Sequence, residues 1–163
     1  MDPYSTAGWK EFFVAGTGAA AALTGLVFVA LSINLARILA LPGLPARAAG
    51  ALAVMTQAMI LCLLGLVPQP TDALAVEILV VALIGGFAGL RTLSRKPSGD
   101  GPTPLQVLTQ AVIVIVTALS LLIAGASLVF DAGGGLYWLV AGLLLLLLNG
   151  IVNAWVLLVE IQR

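Results

Sequence analysis

Polar side chains recur on one face of the fourth of five long apolar segments in this chain. The opposite face consists of Ile, Val and Leu. At about 100° per helical residue, the residues that share the polar face are Gln106, Thr109, Gln110, Thr117, Ser120, Ala124, Ser127 and Asp131. Two asparagines of the fifth segment align in the same way. Together with one acidic residue, the candidates for lining a pore or cavity are Gln106, Gln110, Thr117, Ser120, Asn149, Asn153 and Glu77.

Two interpretations of these polar faces remain open. Amide and hydroxyl groups without hydrogen-bond partners are costly in hydrocarbon, so the two faces should not both point at lipid. In a dry interior, Ser and Thr would bond to their own helix while Asn and Gln join neighbouring helices. In a wet interior, the same residues would line a cavity or pore.

Glu77 is the one carboxylate clearly inside a predicted span, about 7 Å from the start of the third segment at 1.5 Å per residue. Acidic residues inside a membrane are candidates for functional sites. The alternative is a shallow glutamate that reaches the interface or bonds to a nearby Gln, Thr or Trp.

Small residues predict close helix packing. Gly85 and Gly89 form a GxxxG pair on the third segment, and Ala21 and Gly25 continue a small stripe from Thr17 on the first. Small side chains let two backbones approach within a membrane. We expect packing within the bundle, with a subunit interface as the alternative.

Composition argues against catalysis. The chain has no histidine, and its single cysteine, Cys62, lies within an apolar run. It contains no GxSxG, P-loop, HExxH or CxxC motif, and no two acids lie clearly inside the same predicted span. We therefore expect no enzyme activity, no cofactor and no metal site. The zero net charge argues against a nucleic-acid partner.

The elements that carry these residues are membrane-spanning helices. The sequence is 61% hydrophobic and 9% charged, whereas soluble domains are about 25% charged. About 20 apolar residues suffice to cross the hydrocarbon core. The sequence predicts an all-α bundle of five transmembrane helices in one domain, over residues 12–39, 46–67, 72–93, 104–130 and 136–161. Pro68 and Pro70 are expected to end the second span, and Pro104 to take the first helical position of the fourth, with Thr103 as its cap.

The basic residues predict the orientation. Six of the seven fall on one side of a five-span chain, and Lys10 alone falls on the other. Because Lys and Arg collect on the cytoplasmic side, we expect the N-terminus outside and the C-terminus in the cytoplasm. Aromatic residues near the outer ends of the spans agree with this orientation. Arginine outnumbers lysine five to two, which favours a GC-rich bacterial genome, so we expect the chain in a bacterial inner membrane.

The opening AGWKEFFVAGTGAAAALTGLVFVALSINLARILALPGLPARA resembles a family of small bacterial multi-pass membrane proteins. Most members of that family have no assigned function, and some are labelled as modulators of a membrane-bound AAA protease. The resemblance covers about a quarter of the chain, mainly the first span and the loop after it. It implies a multi-pass membrane protein and supplies no site residues.

A chain this small offers little interior for a self-contained transporter. Closed homo-oligomers are the common assembly of soluble chains, and by analogy we expect a homo-oligomeric pore for ions or small solutes. The alternative is an accessory or regulatory subunit of a larger membrane complex, a membrane protease among them.

Overall fold

The computed structural model describes residues 2–40, 43–93 and 104–162, without the side chains at 104, 106, 157–158 and 160–162. Within these ranges the fold is all-α, with no strand. A short 3-10 helix, Thr6–Trp9, leads into the first α-helix. The helices are α1 (Lys10–Ile33), α2 (Leu35–Ala40), α3 (Leu44–Leu66), α4 (Thr71–Leu93), α5 (Pro104–Val129) and α6 (Leu136–Gln162).

Among the described residues, five helices are long and apolar enough to cross a membrane. Large apolar side chains stay exposed on all five, as expected where lipid is the solvent. The chain is therefore a multi-pass helical membrane protein. Four of the helices begin and end within two residues of the predicted bounds.

The first span differs from its predicted bounds of 12–39. The helix is interrupted at Asn34, which has φ −103° and ψ 13°, and the chain continues as the separate short helix α2. The Asn34 side chain donates to the Ala30 carbonyl at 2.9 Å, an oxygen at the end of α1. Asparagine readily bonds to nearby backbone and so competes with helix continuation. The predicted single helix is therefore divided into α1 and α2.

Local backbone chemistry sets the other helix ends. Gly43, with φ +90°, precedes α3, a left-handed conformation that glycine adopts at little cost. Pro68 and Pro70 follow α3, where proline does not continue a helix. Pro104 opens α5, as the sequence predicted; its proposed cap, Thr103, lies outside the described residues.

The helices form a ring of four with α1 outside it. Going round the ring, α3 packs on α4, α4 on α5, α5 on α6, and α6 back on α3. Helix α1 packs mainly on α3 and touches α6 less extensively. The principal apolar core contains Phe13, Leu61, Ile78, Leu121 and Leu139. A smaller cluster of Leu31, Ile38 and Ala48 ties α2 to α1 and α3.

Candidate functional site

One end of the bundle is covered by residues 2–9, which we call the strap. The Pro3 carbonyl accepts from Leu136 N at 2.9 Å, and the Tyr4 carbonyl accepts from the Thr71 hydroxyl at 3.1 Å. The Tyr4 hydroxyl accepts from Gly134 N at 3.2 Å. The strap thus bonds to the first residues of α4 and α6 and to the loop between α5 and α6. We call this end of the bundle the strap end.

Glycine is required where the strap meets the loop before α6. Gly135 has φ +50°, and a Cβ there would overlap the Pro3 carbonyl oxygen. Next to this contact, the Ser127 hydroxyl accepts from Gly135 N at 2.7 Å and donates to the Ala132 carbonyl. These bonds hold the loop in the shape that receives the strap.

The aromatic ring of Trp9, the last residue of the strap, packs with aromatic rings of α1 and α6. The Trp9 indole donates to the Asp2 carbonyl at 3.0 Å. Its ring lies edge-on to Tyr137, with the centroids 4.9 Å apart, and also contacts Phe12. Phe13 lies deeper and fits against Gly65, where a Cβ would come within 2.7 Å of its ring. The strap end is therefore closed by packed rings.

The opposite end carries Arg37, Arg47 and Arg91, and we call it the arginine end. Arg91 stacks on Phe87, with the guanidinium carbon 4.3 Å from the ring centroid. Among the described basic residues, Lys10 alone lies near the strap. Arg95, Lys96 and Arg163, which the sequence also predicted for the arginine end, lie outside the described residues.

The polar faces predicted on the fourth and fifth spans meet inside a single chain. We call Gln110, Thr117, Ser120, Asn149 and Asn153 the polar ladder. Thr117, Ser120 and Asn149 are all buried. Asn153 Nδ2 donates to the Asn149 carbonyl at 2.8 Å and to Asn149 Oδ1 at 2.6 Å. Gln110 Nε2 reaches Asn153 Oδ1 at 3.5 Å, which links α5 to α6.

Other residues of the predicted α5 face are placed differently. Thr109 is exposed and donates to the Leu105 carbonyl on its own helix at 2.8 Å. Gln106 belongs to α5, but its side chain lies outside the described residues. Ser127 belongs to the loop contact at the strap end.

Thr117 differs from several other hydroxyl residues of the described spans. Thr17, Thr24 and Ser32 each donate to the carbonyl four residues earlier, at 2.7–2.8 Å. The Thr117 hydroxyl is buried and has no hydrogen-bond partner. A buried hydroxyl without a partner costs free energy unless water or a ligand satisfies it.

Glu77 lies apart from the polar ladder. Its Oε2 accepts from Gln69 Nε2 at 2.7 Å, and the same Gln69 amide donates to the Leu64 carbonyl. Glu77 is half-buried and lies near the strap end of α4. A bond to a nearby glutamine is what we expect if Glu77 is a shallow glutamate near the membrane interface.

The two small-residue motifs have different surroundings. At Gly85 a Cβ would overlap the Gln57 side-chain amide, which donates to the Val81 carbonyl at 3.2 Å. At Gly89 a Cβ would come within 2.7 Å of Val114 on α5. Both glycines of this pair therefore receive side chains from neighbouring helices of the same chain.

Ala21 and Gly25, by contrast, lie exposed on α1, and a Cβ on Gly25 would meet nothing within 4 Å. The expectation that they pack within the bundle is therefore wrong, because α1 turns this face away from α3. The alternative of a subunit interface stays a prediction.

Sequence reasoning missed the strap. Its hydrogen bonds are made by backbone carbonyls of Pro3 and Tyr4, which have no sequence signature. The available sequence signal was the run of three glycines, Gly133–Gly134–Gly135, which indicates an unusual loop. In the structure their φ angles lie between +50° and +111°. Among the described residues no three His, Cys, Asp or Glu side chains gather as a metal site would need.

Comparison with known proteins adds no relative: no family model, no curated protein and no solved structure matches the chain. The resemblance of the first span therefore remains an expectation, and function rests on the geometry.

Proposed function

We propose that this protein is a non-catalytic accessory or regulatory subunit of a larger membrane assembly. The proposal rests on one observation, that the polar side chains of α5 and α6 point into the interior of the chain. The polar ladder lies inside one chain, whereas the exposed side chains on the described spans are mainly apolar. An oligomer of such chains would place apolar surfaces around its axis. Apolar constrictions close to water and ions by dewetting.

Helix α1 supplies the surface for a partner. Gly18 and Gly25 are exposed, and a Cβ on either would meet nothing within 4 Å. Ala21 and Ala22 lie between them and are exposed too. The fold of the single chain does not require small residues here. A close-packed helix from a partner protein would require them.

The experiment is purification from the native membrane under mild detergent, with the mass of the particle determined by native mass spectrometry. We expect a heteromeric complex that Ala22→Trp dissociates, because the indole would push the partner helix away from α1. The matched control is Leu83→Trp, an exposed position on α4. A particle of this chain alone that is unaffected by Ala22→Trp would contradict the proposal.

A homo-oligomer with a path through the interior of each chain is the second candidate, and the polar ladder is the observation that favours it. The polar ladder begins in the arginine half of the ring with Gln110, Asn149 and Asn153. It reaches Thr117 and Ser120 near mid-depth. Beyond them the interior is apolar and the strap closes it. Reconstitution into liposomes with an ion-flux readout tests this candidate. Conduction by a pure oligomer would favour it over the accessory subunit.

We further propose that the strap end faces the outside and the arginine end faces the cytoplasm of a bacterial inner membrane. The support is the segregation of Arg37, Arg47 and Arg91 from Lys10. With Cys62 replaced by Ala, Gly134→Cys should react with an impermeant thiol reagent in intact cells, and Pro45→Cys should not. The reverse labelling pattern would invert the orientation.

A further inference from the structure

A groove runs between α1 and α6, on the side of the bundle where α1 lies outside the ring. Helix α1 packs mainly on α3 and much less on α6. Helix α3 therefore forms the floor of the groove, and α1 and α6 form its walls. The groove has a volume of about 240 Å³ and is partly open to the surroundings of the bundle.

Small side chains leave the groove unfilled. At Gly16 a Cβ would come within 2.7 Å of Cys62 Sγ, so α1 lies close to α3 at this point. Ala15 and Ala19 line the α1 wall, and Ala58 lines the floor beside Cys62. Because these side chains are small, they do not reach across the space between the two walls.

The other lining residues are large and apolar. Leu143, Leu144 and Leu147 line the α6 wall, and Phe12 lies at the end nearest the strap. No described side chain that lines the groove offers a strong hydrogen-bond donor or acceptor, whereas a bound water molecule needs about two to four polar partners. An unfilled groove would lose van der Waals contacts along its lining. An apolar occupant would therefore stabilise it.

The groove extends through about one leaflet of a bilayer. Phe12 lies about 3 Å along the axis from the start of α1, and Leu147 about 16 Å from the start of α6. Both helices begin at the strap end, and half of the hydrocarbon core of a bilayer is about 15 Å thick. Over a length of about 10 Å, a helix about 10 Å in diameter would occupy about 800 Å³, far more than the groove holds. The groove therefore has room for a single hydrocarbon chain and not for a helix.

We propose that this groove binds one acyl chain of a phospholipid from the leaflet at the strap end. The acyl chain supplies the apolar atoms that Ala15, Ala19 and Ala58 do not, and it spans the same leaflet as the groove. The surface proposed for a partner on α1 is a different face, because Gly25 lies about 120° round the helix from Ala19 at about 100° per residue. The lipid site therefore goes beyond the accessory role and does not rest on it.

Lipid titration of the isolated protein tests the proposal. The full chain, stripped of lipid in detergent, is mixed with a synthetic phosphatidylcholine that carries a diazirine halfway along one acyl chain. Native mass spectrometry counts the bound lipids, and illumination followed by peptide mapping locates the acyl chain. We expect one lipid per protein chain to be retained at collision energies that remove all further lipids. Its label should fall on residues 12–19 of α1 and 143–147 of α6.

Ala19→Phe should weaken lipid binding several-fold, because the added ring occupies the groove. The matched control is Ala21→Phe, the same change at an exposed position on the other side of α1, which should leave binding unchanged. Four results would overturn the proposal: no retained lipid, equal binding by wild type and folded Ala19→Phe, a label confined to exposed residues such as 83–87 of α4, or a dimer of this chain that excludes lipid from the groove. The position of the label in the wild type decides the matter even if Ala19→Phe does not fold.

Discussion

The two halves of the four-helix ring are built on different principles. The strap half has a continuous apolar core, with Phe13, Leu74, Ile78 and Leu128 almost fully buried. The arginine half has the polar ladder, and the buried Met55 packs there against Gly150. The difference teaches that burial within a membrane protein does not by itself mean an apolar interior.

The physical reason lies in the solvent. Lipid is as apolar as leucine, so the membrane gives no hydrophobic drive to gather leucines between helices. Close packing stabilises the strap half instead, and hydrogen bonds hold helices together in the arginine half. Substitutions that disturb packing should therefore act mainly on the strap half, and substitutions that remove hydrogen bonds should act mainly on the arginine half.

The largest effect is expected for Phe13→Ala in the strap half. Phe13 is 1% exposed, and its removal would leave a cavity against Gly65. Buried Phe→Ala substitutions cost about 3–5 kcal/mol in soluble proteins, and we expect the lower part of that range because lipid replaces water as the reference. A thermal melt in detergent measures the loss. Phe28→Ala, at a position 60% exposed, is the control and should leave stability nearly unchanged.

A smaller loss is expected for Gly125→Leu. A Cβ on Gly125 would come within 2.6 Å of Leu79 Cγ and within 3.1 Å of the Ala75 carbonyl oxygen. Backbone moves less readily than a side chain, so overpacking should cost about 1–3 kcal/mol. Gly25→Leu, at an open position on α1, should not lower the melting temperature of the isolated chain. Equal melting temperatures for the two variants would mean that α4 and α5 are not packed as closely as described.

In the arginine half, Asn153→Ala should cost about 1 kcal/mol. The variant loses the bond from Gln110 on α5 and the two bonds to Asn149 within α6, and a hydrogen bond between helices averages about 0.6 kcal/mol in membrane bundles. Equilibrium unfolding in mixed micelles provides the measurement, with Ser32→Ala as the control on an exposed helix face. A loss as large as that of Phe13→Ala would remove the contrast between the halves.

The smallest effect is expected for Tyr4→Phe in the strap. The variant removes the acceptor for Gly134 N, and one hydrogen bond near water is worth about 0.5–1 kcal/mol. Because the strap also carries Trp9, we expect a shift in tryptophan emission on heating that begins at lower temperature than in the wild type. Tyr137→Phe keeps the ring that packs on Trp9 and serves as the control. Identical emission profiles would show that the Tyr4 bond does not hold the strap.

The sequence by itself determined that this is an all-α protein with five membrane-length helices, because run length and turn residues are local properties. Pro68, Pro70 and Pro104 marked helix ends for the same reason. It also picked out Thr117, Asn149 and Asn153, since a polar side chain inside an apolar run is visible in one dimension. The sequence did not show which neighbour each of these side chains would contact.

Only the tertiary structure decided those neighbours. It turned Gly85 and Gly89 toward side chains of α3 and α5, and left Ala21 and Gly25 exposed on α1. The rotation of a uniformly apolar helix is not fixed by composition, because lipid accepts any of its faces equally well. The strap was hidden for a related reason: the carbonyls of Pro3 and Tyr4 exist in every chain, and only the folded loops give them their partners.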